Sequence, residues 1–251
     1  MSSFAVAGIV FACVFGGALV GMLLRVLLPQ NHLSSDSKDV VKLGMGLVGT
    51  LAALVLGLLI ASAKGSFDAQ SKELTELAAN VVLLDRILAH YGSESAPSRD
   101  LLRGAVTHLI ETVWATDSVD PGANSSRLAS HEALFEQVRR LSPKDDTQRA
   151  LQAQALSLVI DMGRTRWLMY EQATTSFSPP LLMVVVLWLT IILASFGLFA
   201  PTNATVITSL AVSSLAVSGA IFLILEMYGP YSGVIQVSSA PLHAALAHLG
   251  Q

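Results

Sequence analysis

The side chain with the clearest potential for chemistry is Glu226. It follows the apolar block that begins at Pro179, and no charged residue precedes it in that block. An ionisable group in or at the edge of a membrane is costly and often functional. The sequence therefore predicts a membrane-edge carboxylate. The alternative is a structural role, in which Glu226 reaches the headgroup region or pairs with Lys64 or Arg166.

A second candidate site is a stripe of small residues, spaced at steps of 4, 3, 4 and 4, which places them on one face of a helix: Gly46, Thr50, Ala53, Gly57 and Ala61. Small residues in a membrane helix usually form a helix-packing face, because they let backbones approach closely. The other interpretation is a pore-lining face, where small side chains leave room for ions.

The sequence predicts no catalytic, cofactor-binding or metal site, and hence no enzyme. It lacks a P-loop, a dinucleotide-binding glycine motif, a zinc-protease motif, a nucleophile elbow and an EF-hand loop. The single cysteine, Cys13, is expected to be a packing residue. The histidines lack ligand spacing and are expected at the surface. The net charge of −3 and the absence of a basic patch argue against nucleic acid.

Two acidic residues lie within apolar helical runs, each with an arginine close by in sequence. Asp85 precedes Arg86, and Asp161 lies three residues before Arg164. We expect these to be paired charges that hold helices in register rather than reacting groups.

The elements that must position these residues follow from the distribution of charge. The chain is 53% hydrophobic and only 13% charged, and twelve of its 15 Lys and Arg residues lie between Lys64 and Arg166. About 20 apolar residues in a helix cross a bilayer. The sequence thus predicts an all-α integral membrane protein with four transmembrane helices and a helical bundle inserted between the second and third. The predicted parts are residues 1–29 (first span), 43–63 (second span), 64–178 (soluble bundle), 179–228 (transmembrane hairpin) and 229–251 (tail with a short helix).

Finer signals concern helix contacts and helix ends. Gly17 and Gly21 form a GxxxG face suited to close packing in lipid. The second span is expected to continue out of the membrane and to end near Gly92. Its extension carries a coiled-coil-like seam formed by Leu74, Leu77, Val81, Leu84, Leu88 and Tyr91. Further helices are predicted over Ser98–Thr116, Leu128–Leu141, Asp145 or Asp146 to Ser176, and Pro241–Leu249, with a loop over Ser118–Ser126.

Four segments of the chain resemble the bestrophin-like family of bacterial membrane proteins of unknown function. They are Gly49-Thr50-Leu51 with its following Leu-Val-Leu-Gly-Leu-Leu run, Leu84-Asp85-Arg86 up to Tyr91-Gly92, Phe196–Asn203, and Glu226 to Leu242. Tyr228 and Tyr231 stand where the family usually has an acidic residue and a phenylalanine, so the resemblance implies no second carboxylate beside Glu226.

The resemblance implies kinship to bestrophins, which are pentameric anion channels with two spans, a cytosolic helical domain and two further spans. The expected function is an oligomeric ion channel for anions, with the second span lining the pore. Its expected partners are the lipid bilayer, further copies of itself and an inorganic anion, in the cell inner membrane with a cytoplasmic bundle. The alternative is a non-conducting scaffold or sensor that binds a partner through the seam; burial of the seam within one protomer would count against it.

Overall fold

The computed structural model describes residues 2–29, 35–114, 131–174 and 179–250, and within these ranges every regular element is helical. The elements are α1 (Ser3–Leu27), α2 (Ser35–Tyr91), a 3₁₀ turn (Ser93–Ser95), α3 (Ala96–Trp114), α4 (residues 131–139), α5 (Asp146–Thr174), α6 (Pro179–Phe199), α7 (Ala204–Tyr228) and α8 (Ala240–His248). The prediction of an all-α protein is confirmed. Four of the helices, α1, α2, α6 and α7, are long and apolar enough to cross a membrane.

The chain divides into two compact units. The first comprises Met1–Gly65 and Ser176–Tyr228, and the second comprises Ser66–Thr175 and Gly229–Gln251. Helix α2 contributes to both, because its 57 residues run without a break. This confirms the expected extension of the second span. The helix ends where expected, since Gly92 takes a φ of 122°, which favours a residue without a Cβ.

In the first unit, α1 and α6 approach each other through glycines. A Cβ added to Gly21 would overlap the Ala194 carbonyl oxygen and lie 2.8 Å from its carbon. A Cβ on Gly197 would overlap the Ala18 carbonyl in the same way. The prediction that the GxxxG face allows close backbone contact is therefore confirmed.

The hairpin of α6 and α7 carries Glu226 at its end. Its turn is short because Pro201 cannot continue α6 and Asn203 begins α7. The Asn203 side chain accepts a hydrogen bond from the Val206 amide at 2.9 Å, which satisfies one of the free amides of the first turn.

The seam lies in the apolar core of the second unit, and all six of its side chains are at most 2% exposed. They pack with residues of α3, α4, α5 and α8, among them Leu102, Leu134, Val159 and Leu242. A coiled-coil-like repeat is here the inner face of a helix within one chain. This burial counts against the alternative function, in which the seam binds a cytosolic partner.

Helix boundaries differ from the predictions by a few residues. Helix α3 begins at Ala96, and Ser98, predicted as its N-cap, is buried inside it. The preceding 3₁₀ turn, Ser93–Ser95, runs directly into α3, so the helix starts before Ser98; the Ser95 hydroxyl donates to the Gly92 carbonyl at 2.8 Å. Asp145 caps α5 as expected, accepting from the Gln148 amide at 2.7 Å. The predicted loop Ser118–Ser126 and the first residues of the helix predicted from Leu128 lie outside the described ranges.

Candidate functional site

The stripe of small residues lies on an exposed face of α2. All five of its members are exposed: Gly46, Thr50, Ala53, Gly57 and Ala61. A Cβ added to Gly46 or Gly57 would have no heavy atom within 4 Å beyond the local backbone. The Thr50 hydroxyl donates to the Gly46 carbonyl at 2.6 Å, so its polar group is satisfied within its own helix. Within the described part of the chain, the stripe is therefore not a packing face.

A different, narrow edge of α2 holds it to the rest of the first unit. Leu59 and Ala63 are buried and pack with Val185 of α6 and Ile224 of α7. Only 11% of the most apolar stretch of α2 is buried, against 28% for each of α1, α6 and α7. This span is thus the one least covered by its own chain.

The exposed surface of α2 has two chemically distinct parts. One carries large side chains, among which Leu54 and Leu58 are 71% and 67% exposed. The other is the small stripe. Large apolar side chains suit contact with lipid tails, whereas small residues on a membrane helix suit close contact with another backbone or an open space. The face with the large side chains is therefore suited to lipid, whereas the small stripe is suited to another helix or to an open space.

Glu226 lies two residues before the end of α7 and is only 3% exposed. Nearby along the helix, the Tyr228 hydroxyl lies 3.1 Å from the Ser62 hydroxyl of α2. The carboxylate is therefore covered by protein. A buried carboxylate keeps its charge only when the protein replaces the lost water contacts.

In the second unit, Asp85 pairs with Arg99 rather than with Arg86. Arg99 donates two hydrogen bonds to the Asp85 carboxylate, at 2.7 and 2.9 Å, and the Gly250 amide donates a third at 3.2 Å. The hydrogen bonds from Arg99 lower the pKa of Asp85, although burial opposes them. The prediction of Arg86 as partner is wrong because consecutive helical residues point about 100° apart.

The Asp85 pair also fixes the C-terminal segment, because Arg103 donates to the Leu249 carbonyl beside it. The predicted role of a charge that holds helices together is therefore observed, with α2, α3 and the residues after α8 as the elements joined. Asp161, in contrast, is exposed on α5. One sequence signal could have identified Arg99 as the partner. Arg99 lies one turn into α3, the helix that follows α2, and this position brings it opposite Asp85.

The segment after α7 is held by aromatic residues. The Trp114 indole donates to the Val237 carbonyl at 2.9 Å, and its ring meets that of Tyr231 edge-on with centroids 5.7 Å apart. Burial raises the pKa of Tyr231, so it stays a neutral phenol. The Val237 amide closes the turn by donating to the Pro230 carbonyl at 2.7 Å.

Among the described residues, no group of three or more His, Cys, Asp or Glu side chains could hold a metal ion. The expectation that every histidine lies at the surface is wrong for His131, which is half-buried between helices of the second unit. Cys13 is an exposed free thiol on α1 rather than a packed side chain.

The comparisons with known proteins agree on one architecture. The model of the bestrophin-like domain matches residues 10–242. Two crystal structures of mutants of a bacterial bestrophin homologue from Klebsiella pneumoniae are similar to this chain, with TM-scores of 0.58 and 0.53 at 16% identity. Each covers 94% of this chain, which covers 97% and 98% of theirs. At this identity the likeness concerns the fold. No curated protein matches the sequence.

Proposed function

Because the chain belongs to the bestrophin-like family, we propose that it forms an oligomeric ion channel that conducts inorganic anions. In this proposal the four long apolar helices cross the cell inner membrane as the spans at residues 1–29, 43–63 and 179–228. Residues 64–178 form a cytoplasmic helical bundle inserted between the second and third spans, and residues 229–251 complete it. Homology to bestrophins, which are ring-shaped anion channels, supports this assignment at the level of architecture.

The observation that carries the proposal is the uncovered small stripe of α2. A face of small residues that contacts no other described helix of its own chain has two uses in a membrane: contact with a second copy, or the wall of a water-filled path. A ring of copies provides both, because each α2 can face the central axis. We propose that Gly46, Thr50, Ala53, Gly57 and Ala61 line that path.

Conductance in planar bilayers tests the proposal. The purified full chain is expected to carry anion current, measured as a reversal potential that follows the chloride gradient. A silent bilayer over a range of anions and voltages would overturn the channel. So would a monomer or a solid dimer in electron micrographs, where a closed ring with an axial hole is expected.

A matched pair of glycine variants tests the assignment of the stripe. Gly57→Val adds three carbons to a position with open space around it, so the single chain should accept the substitution and the current should fall. Gly8→Val makes the same change at a site on α1 that is equally open and outside the stripe. Equal currents from the two variants would show that the stripe does not line the conducting path.

Glu226 is the second proposed functional residue. Its burial at the end of α7 places a carboxylate where its charge interacts strongly with its surroundings, since screening by water is weak there. We propose that this charge influences conduction.

A further inference from the structure

The imidazole of His131 lies directly against the backbone of α5. A Cβ added to Gly163 would overlap Nε2 of His131 and lie 2.8 Å from its Cε1. No side chain other than hydrogen fits at position 163 while the ring stays in place. His131 therefore joins α4 to α5 through a contact that depends on the shape of one glycine.

The same ring closes one side of a small cavity of about 20 Å³, roughly the room that one water molecule needs. The walls are apolar on α2, α3, α4 and α5, formed by Leu77, Val81, Leu102, Ala105, Val106, Leu109, Leu134 and Met162. The remaining lining residues are His131 itself and Arg166 of α5. The cavity thus offers an imidazolium ion little to replace the water that it would lose.

The charges that face His131 favour its neutral form. Burial lowers the pKa of His131, and the positive charge of Arg166 lowers it further. The Glu132 carboxylate, on α4 itself, acts in the opposite direction and is the weakest of the three influences. From α2 and α3, the described residues that line the cavity carry no charge.

We propose that His131 is a proton-sensitive contact that holds α4 against α5 when neutral and releases it when protonated. The cause is a second positive charge placed beside Arg166 in an apolar cavity, which is unfavourable for the closed arrangement. On protonation the ring moves away from Gly163, and α4 separates from α5. Because this contact lies within the second unit, the proposal does not require that the protein conduct ions.

The direction of the pH dependence follows from linkage. The pKa of His131 in the folded protein lies below that of the unfolded chain, which is about 6.5. The α4 contact is therefore fully stable above about pH 6.5 and weakens as the pH falls from there towards the folded-state pKa. Each unit between the two pKa values corresponds to about a tenfold loss in the closing equilibrium.

Hydrogen–deuterium exchange of the full chain in lipid nanodiscs tests the proposal by two readouts. Exchange at the C2 carbon of each histidine gives the pKa of each imidazole, and we expect a value for His131 below the ordinary value of about 6.5. Amide exchange over residues 131–139, corrected for the intrinsic effect of pH, should rise between about pH 7.5 and about pH 5, by about tenfold for each unit by which the measured pKa of His131 lies below about 6.5.

Variants separate the contact from general acid sensitivity. His131→Gln cannot gain a proton and should abolish the acid-dependent rise over residues 131–139, whereas His243→Gln should retain it. Gly163→Ala should raise exchange over the same residues already at neutral pH, because its methyl group occupies the place of the ring. A rise that persists in His131→Gln would overturn the proposal. So would a wild-type protein that shows no rise, or a pKa of His131 at or above about 6.5.

Discussion

Replacement of Asp85 by alanine is expected to loosen α8 and the residues after it from the second unit. The Asp85 side chain is 6% exposed and receives both guanidinium hydrogen bonds of Arg99 and the amide of Gly250. Removing one partner of a buried ion pair costs about 3–5 kcal/mol, mostly from the charge left behind. Because Arg99 is 26% exposed and can partly rehydrate, we expect Asp85→Ala to cost about 2–3 kcal/mol of stability.

The assay is amide exchange of the full chain over Ala240–His248. In the regime where closing is faster than exchange, a loss of about 2–3 kcal/mol accelerates exchange by about 30- to 150-fold. Glu76→Ala is the matched control on the same helix. It removes a surface ion pair in which the Lys72 and Glu76 side chains are 79% and 59% exposed, at 3.7 Å, and should change exchange by about twofold at most.

Two outcomes would refute this reasoning. One is an Asp85→Ala variant whose exchange over α8 differs no more than that of the control. The other is full additivity of Asp85→Ala and Arg99→Ala in the double variant, because residues that act as a pair must show a coupling energy.

The same pair predicts an acid limit for the contact. The hydrogen bonds from Arg99 hold the pKa of Asp85 below its value of about 3.9 in an unfolded chain. The contribution of the ionised Asp85 side chain to stability is therefore present above about pH 3.9. It is lost as the pH falls through the lower folded-state pKa of Asp85. This loss lies at a lower pH than the loss expected for His131, so the two effects can be distinguished in one titration.

Two further predictions concern the first unit. Gly21→Val should force α1 and α6 apart, because even its Cβ would overlap the Ala194 carbonyl oxygen; we expect a loss of about 1–3 kcal/mol, measured as a lower Tm in detergent. Gly16→Val, on the same helix with open space around it, should stay within about 0.5 kcal/mol, and an equal Tm for both variants would contradict the packing argument. Glu226→Gln keeps the side-chain shape and removes the charge, and it should change bilayer conductance with an unchanged elution volume on size exclusion. An unaltered current would leave Glu226 with a structural role.

Much of the fold was predictable because it depends on properties that are local in the sequence. The four apolar helices follow from length and composition, and the continuation of α2 to Tyr91 follows from the lack of a helix breaker before Gly92. The close approach at Gly17 and Gly21 was also readable, since only small residues permit it. Helix ends were less certain, as Ser98 shows, because the 3₁₀ turn at Ser93–Ser95 runs directly into α3 and starts the helix before Ser98.

The candidate site was only partly predictable. The spacing of Gly46 to Ala61 defines one face of a helix, but the same pattern suits a buried packing face and an open one. The seam presents the converse case, since a heptad repeat can bind a partner or fill the core of its own chain. In both cases the spacing determines which residues share a face of the helix. Which other part of the protein that face contacts depends on how the helices pack.

The sequence by itself determined that this protein is a helical membrane protein of the bestrophin-like family. Hydropathy, helical period and family motifs all depend only on the order of the residues along the chain. Only the tertiary structure decided that Asp85 pairs with Arg99, that the seam is buried, that the small stripe is exposed and that His131 lies on Gly163. The physical reason is that these contacts join residues from different helices. Their energies depend on distance and on the exclusion of water, and neither exists until the helices have packed.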